Sequence, residues 1–159
     1  MKNVILITGA SSGFGAIMAR ALAKAGHIVY ASMRDTAGPN AAQVDAARQF
    51  SAENHVDLRT IELDVQSQES LSTAATEVGK LTGGSLDALL NNAGGGYSMP
   101  ISDVALSEAK KVFDLNVWEV SEIVVDCLSR EDCDRFAVRA GGAVLLTPSV
   151  GHLTAGEHV

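Results

Sequence analysis

The stretch Val4-Ile5-Leu6-Ile7-Thr8-Gly9-Ala10-Ser11-Ser12-Gly13-Phe14-Gly15 decides the fold of this chain. Val4–Ile7 is a continuous apolar run, as expected for a strand covered on both faces of a parallel sheet. Ile17, Met18, Ala21, Leu22 and Ala25 follow at helical spacing. Strand, glycine turn and helix in succession are the setting in which a glycine-rich loop binds phosphate. Glycine lets the backbone approach an anion without a Cβ in the way and permits positive φ. The following helix aims its free N–H groups and the positive end of its dipole at the same place. The expected guest is a pyrophosphate. The plainer alternative is a tight turn before a helix.

Outward from that stretch, strand and helix signals alternate. The expected strands are Asn3–Thr8, Ile28–Ala31, Val56–Leu63, Leu86–Asn91 and Ala143–Thr147. The expected helices run from Gly13 to Ala25, from Pro39-Asn40 to about Glu53, and from a Ser67 cap to about Leu81. A fourth, long helix capped by Ser107 is expected to reach at least Leu128. Strands separated by helices predict an α/β fold. The expectation is a doubly wound, Rossmann-like parallel sheet of about five strands with helices on both faces. Ligands of such sheets bind outside the carboxyl ends of the strands, where the strand order reverses. Residues 1–159 read as one dinucleotide-binding domain.

Composition narrows the partners. The formal net charge of −7 argues against nucleic acid or an anionic membrane surface. Apolar runs fall short of a membrane span. Cys127 and Cys133 lie outside any CxxC or Cys/His cluster and read as reduced thiols. His27, His55, His152 and His158 are scattered, so no metal site is expected. The chain enters its first strand at once with no signal-peptide layout, and the expected compartment is the cytoplasm.

Four further strand ends carry candidate chemistry. Strand two ends in Ser32-Met33-Arg34-Asp35. An acidic residue there hydrogen-bonds a free ribose 2′-hydroxyl, and an arginine accommodates a 2′-phosphate. Both types are present; a surface Arg–Asp pair is the alternative. Strand three ends in Leu63-Asp64-Val65, where an Asp alone is more often a turn former. Strand four ends in Asn91-Asn92-Ala93-Gly94, with amides able to tie strand ends together and small residues leaving room for a ribose. Asn116 sits inside the apolar stripe of the fourth helix, so its amide needs a partner; a backbone-satisfied structural Asn is the alternative. Strand five ends in Thr147-Pro148-Ser149.

Thr8-Gly9-x-x-x-Gly13-x-Gly15 together with Asn91-Asn92-Ala93-Gly94 resembles the short-chain dehydrogenase/reductase family, whose loop reads TGxxxGxG and whose second signature is NNAG. The resemblance implies a nicotinamide dinucleotide held by Thr8, Gly9, Ser11, Ser12, Gly13, Phe14, Gly15, Asp64, Val65, Asn91, Asn92, Ala93 and Gly94. Arg34 and Asp35 look like the pair of NADP-preferring members, with Arg34 forking onto the phosphate. NADP is therefore the expected cofactor, with NAD the other choice. Asn116 matches the family's catalytic Asn, which holds a water in the proton relay. Ser149 matches the Ser that hydrogen-bonds the substrate oxygen. The implied activity is hydride transfer with a small-molecule carbonyl or alcohol, by a homo-oligomer. Tyr30–Asp35 and Thr147–Leu153 look like hydroxysteroid- and retinol-type members, which implies an apolar ketone or alcohol.

One part of the family pattern is absent. The acid/base pair of the family is a Tyr-x-x-x-Lys a little beyond the Ser. The residues from Val150 to Val159 contain neither Tyr nor Lys. Tyr30 and Tyr97 are the tyrosines of this sequence. The expectation is a chain that stops before that pair, lacks the family's C-terminal strands and has impaired turnover. A non-catalytic dinucleotide-binding or interaction module is the alternative, and a site completed by Tyr97 or a partner subunit is a third. An uncovered fifth strand would leave an apolar edge, so marginal stability or self-association is expected.

Overall fold

The computed structural model describes residues 2–84, 86–96, 100–118 and 145–146. Its sheet has five parallel strands in the order β3-β2-β1-β4-β5. They are β1 (Val4–Ile7), β2 (Ile28–Met33), β3 (Asp57–Glu62), β4 (Ala88–Asn91) and β5 (Leu145–Leu146). Among the described residues the α-helices are α1 (Gly13–Lys24), α2 (Ala41–Asn54), α3 (Gln68–Thr82) and α4 (Leu106–Phe113). The Rossmann-like α/β architecture expected from the alternating signals is present, with helices on both faces. No described helix is long and apolar enough to cross a membrane.

The apolar runs become the central strands for the expected reason. Ile5, Leu6 and Ile7 of β1 and residues 29–33 of β2 are buried, because both sheet faces are covered. On one face Ile5, Ile7, Val29, Ala31 and Met33 pack with Ala19 and Ala23 of α1 and Ala47 of α2. On the other Leu6, Tyr30, Ile61 and Leu89 pack with Leu71, Ala74 and Val78 of α3. Each fully buried large aliphatic side chain stabilises the fold by roughly 1.5–3 kcal/mol. Strand β3 lies at one border of the sheet, with Leu58 buried on one face, Ile61 buried on the other, and Arg59 and Glu62 exposed. In register, Leu6 lies between Tyr30 of β2 and Leu89 of β4. The order of strands reverses on either side of β1, so β1 and β4 part at the topological switch point.

Local signals set several ends as expected. Ser67 caps α3 by accepting a hydrogen bond from the Ser70 N–H, and Gly83 closes the helix at φ +71°. The fourth helix departs from the expectation. It starts at Leu106, with Ala105 in the cap position, after a 3₁₀ turn over Ile101–Asp103. The Ala105 carbonyl accepts from the Glu108 and Ala109 N–H groups, so Ser107 lies inside the first turn and caps nothing. The α-helix also ends early, at Phe113, and continues as a π-helical turn over Asp114–Trp118. The remainder of the long helix expected to Leu128 lies outside the described residues.

Candidate functional site

Thr8 joins the two strand ends at the switch point. Its side chain is fully buried, and its hydroxyl accepts hydrogen bonds from the backbone N–H groups of Asn92 and Ala93, each at 3.0 Å. In return the Asn92 side-chain amide donates to the carbonyls of Thr8 at 3.0 Å and Gly9 at 3.1 Å. The loop is tied to β2 as well, by the Ala10 N–H donating to the Ser32 carbonyl at 2.8 Å. One hydroxyl and one amide thus satisfy four backbone groups around strand ends that run out of ladder partners.

The three glycines of the loop are required for two different reasons. A Cβ on Gly15 would lie 2.5 Å from the Gly9 carbonyl oxygen and 2.6 Å from the Asn92 amide nitrogen. On Gly9 (φ +64°) it would lie 2.7 Å from Ala93 Cα. These two positions permit close contact between α1, the loop and Asn92-Ala93. Gly13 has φ +54° but nothing within 4 Å of a Cβ, so there the demand is for the left-handed conformation alone. Gly13 and Phe14 begin α1 on the exposed side, and Phe14 is 80% exposed. Ser12, the cap residue, is exposed and its side chain makes no capping hydrogen bond. The first N–H groups of α1 have no intrahelical partner, and Ala16 is the first to bond back, to the Ser12 carbonyl.

Asn116 is held by backbone. Its amide nitrogen donates to the carbonyls of Gly95 and Val112, both at 2.7 Å, and its oxygen accepts from the Gly95 N–H at 3.3 Å. The bond to Val112 takes a share of the carbonyl four residues back, the acceptor of the normal helical ladder. This occurs within the π-helical turn that interrupts α4. A Cβ on Gly94 would lie 2.5 Å from the same Asn116 oxygen, so Gly94 is what lets the turn close onto the end of β4. The residues after Asn91-Asn92 are therefore tied down rather than a free turn.

The loop after β2 is organised by a residue that sequence reasoning missed. Glu62, the last residue of β3, pairs in register with Met33. Its carboxylate accepts from the backbone N–H groups of Asp35 and Thr36, each at 2.8 Å, and from the Thr36 hydroxyl. That hydroxyl bond above all, with the two backbone bonds, holds the Glu62 carboxyl below its usual value. Asp35 is in the left-handed conformation at φ +51°. The Arg34 carbonyl accepts from the Asn40 side-chain amide at 2.7 Å, and the Arg34 side chain is exposed.

Asp64 combines a local role with its place at a strand end. Its carboxylate accepts from the Gln66 N–H at 3.0 Å, and its own N–H donates to the Ser70 hydroxyl at 2.9 Å. Val65 is buried with the α3 face of the core. Asn91 and Ser32 are buried, and neither the Asn91 amide atoms nor the Ser32 hydroxyl has a hydrogen-bond partner among the described residues. No group of three or more metal-ligating side chains occurs among the described residues. Ser149 and Tyr97 lie outside the described residues. The structure thus brings together Thr8–Gly15, Asn91–Gly94 and Asn116, with Arg34-Asp35 and Asp64-Val65 at the neighbouring strand ends.

Comparisons with known proteins agree with this geometry. A family model described as short chain dehydrogenase matches residues 3–157. A short-chain dehydrogenase/reductase of Pestalotiopsis microspora is 40% identical over 118 residues, covering 74% of this chain and 38% of the relative. Estradiol 17-beta-dehydrogenase 1 of Rattus norvegicus is 37% identical over 157 residues, covering 96% of this chain and 42% of the relative. The chain therefore spans well under half the length of these curated relatives. An alcohol dehydrogenase from the archaeon Thermococcus sibiricus, solved with 5-hydroxy-NADP, superposes with a TM-score of 0.72 at 26% identity. That match covers 86% of this chain and 55% of the archaeal one.

Proposed function

We propose that this chain, which belongs to the short chain dehydrogenase family, is the dinucleotide-binding part of an NADP(H)-dependent oxidoreductase. Its substrate class is a small carbonyl compound or alcohol. The observation that carries the reading is the junction at the switch point. Thr8 and Asn92 lock the end of β1 to the end of β4 and leave the start of α1 facing outward. A pyrophosphate fits there. The Gly13 Cβ position is open, the first N–H groups of α1 are free of helical partners, and the Ser12 hydroxyl is not used as a cap.

In this reading Thr8 through Gly15 take the pyrophosphate, with Ser11 and Ser12 adding hydroxyl donors. Arg34 takes the 2′-phosphate, and Asp35 lines the same ribose. Asp64 and Val65 border the adenine, and Asn91 through Gly94 border the nicotinamide ribose. When bound, the cofactor supplies a hydride to a carbonyl carbon, or takes one from a carbinol carbon, while a proton moves at the oxygen. Ser149 orients that oxygen, and Asn116 keeps the relay end of α4 against Gly95. The name of the rat relative supports an apolar ketone or alcohol as substrate. Exposed Leu106 and Phe113, one helix face apart by two turns on α4, support self-association.

Calorimetric titration of the 159-residue chain with NADPH, and with NADH as the control, tests the proposal. Binding of NADPH that is at least about ten-fold tighter than NADH is expected, the size of one charge-assisted contact to phosphate. Binding of neither would reject it, and tighter binding of NADH would reject the phosphate role of Arg34.

A further inference from the structure

We propose that Glu62 is a positioning residue for cofactor choice: by gripping the backbone of Asp35 and Thr36 it fixes which side chain of the β2 loop faces the ribose. The inference rests on the dinucleotide reading above and goes beyond it, since Glu62 lies on β3 while Arg34 and Asp35, the residues that would touch the adenosine ribose, follow β2.

Arg34 and Asp35 are adjacent and pull in opposite directions on a 2′-phosphate. The guanidinium attracts the dianion and the carboxylate repels it. Side-chain identity alone therefore does not fix the preference; the backbone that aims the two side chains does. That backbone is held from both sides. Glu62 accepts the N–H groups of Asp35 and Thr36 and the Thr36 hydroxyl. The head of α2 takes the carbonyls: the Asn40 side chain donates to the Arg34 oxygen at 2.7 Å. The N–H groups of Gly38 and Asn40 donate to the Asp35 oxygen at 2.9 and 3.2 Å. Between the two grips Asp35 sits at φ +51°, a left-handed conformation that is unfavourable for a residue with a Cβ. Released from Glu62, Asp35 would relax towards negative φ and the Arg34–Asp35 pair would turn.

Glu62 carries a charge as well as a grip, and the two act in opposite senses. A nearby carboxylate disfavours a phosphate dianion, so removing the charge alone would raise the preference for NADPH. Removing the grip would lower it. The direction of change in Glu62→Gln therefore separates the two.

The test is calorimetric titration of the full 159-residue chain, wild type and Glu62→Gln, with NADPH and NADH. The expected result is a drop of about ten-fold in the NADPH-to-NADH affinity ratio, with NADH affinity little changed, the size of one lost charge-assisted hydrogen bond. A ratio that is unchanged, or that rises, overturns the proposal, and so does an equal loss for both cofactors. Thr36→Val removes one donor and keeps the charge. It is expected to lower the ratio by a smaller factor, and it decides the question if Glu62→Gln does not fold. Arg34→Ala separates the two readings. A wild type and Arg34→Ala pair with the same ratio defeats the phosphate reading of Arg34. An intact Arg34 effect with an unmoved Glu62→Gln ratio defeats the role of Glu62 alone.

Discussion

The loop after β1 and the loop after β2 are both candidate contacts for one dinucleotide, yet they are held in opposite ways. The first is fastened by residues that belong to its own motifs: Thr8 ends β1, Asn92 ends β4, and each satisfies the backbone of the other. The second is fastened from outside, by Glu62 of β3 and Asn40 at the head of α2. The first has Thr8, Ala10 and Gly15 buried and closely packed beneath an exposed Ser12–Phe14 turn, and in the second Arg34 and Asp35 are exposed. The contrast teaches that the first loop is fixed by close packing at Gly9 and Gly15. The loop after β2 depends instead on a few polar bonds that can be changed one at a time.

The largest expected effect breaks the first loop. Gly15→Ala puts a Cβ 2.5 Å from the Gly9 carbonyl oxygen and 2.6 Å from the Asn92 amide, both parts of the junction itself. A loss of about 3 kcal/mol in urea unfolding is expected, together with loss of NADPH binding. Wild-type stability in this variant would contradict the packing described for α1. Thr8→Val keeps the volume and deletes the hydroxyl, leaving the Asn92 and Ala93 N–H groups without an acceptor. The expected cost is about 2 kcal/mol, read from the same unfolding curves. A loss under about 0.5 kcal/mol would mean that other groups satisfy these donors.

Gly13→Ala sharpens the comparison, since its Cβ meets nothing and only φ +54° opposes it. About 1 kcal/mol of destabilisation is expected, clearly less than for Gly15→Ala. An equal loss at the two positions would show that conformation rather than packing governs both.

The smallest effect belongs to the exposed loop and depends on pH. Folded Glu62 has its carboxyl pKa held below the ordinary 4.5, chiefly by the Thr36 hydroxyl. A depressed folded value means that the unfolded chain takes up the proton first as pH falls. The contribution of Glu62 is therefore complete above the unfolded value and is lost as pH drops through the folded one. The difference in melting temperature between wild type and Glu62→Gln should hold steady near neutrality and shrink below about pH 4.5. A difference that grows on acidification would reverse the assignment of the bond.

What the sequence disclosed follows the same division. The glycine loop, Asn91-Asn92-Ala93-Gly94 and the Ser67 cap were legible because residue type and spacing there have a local cause. The apolar stripe around Asn116 predicts an amide that needs a partner; the side chain is half-buried rather than buried, and its partners are the Gly95 and Val112 backbone. The π-helical turn was not legible, since the apolar stripe of α4 continues through it with helical spacing. The start of that helix was misjudged because Ala105 carries no capping side chain and Ser107 does. Glu62 was invisible for a physical reason. A charged residue at the end of a border strand reads as an ordinary solvent-facing side chain, and its partners lie 26 and 27 positions away in sequence. Only the register of β2 on β3 brings them together.

The most direct test of the account asks where the dinucleotide lands. NADPH added to the nitrogen-15-labelled chain should shift the backbone amide signals of Gly13, Phe14 and Gly15 first, with those of Thr36 and Ala93 following. Shifts confined to other parts of the chain, or none at all, would contradict the claim that the junction of β1, β4 and α1 is the phosphate cradle.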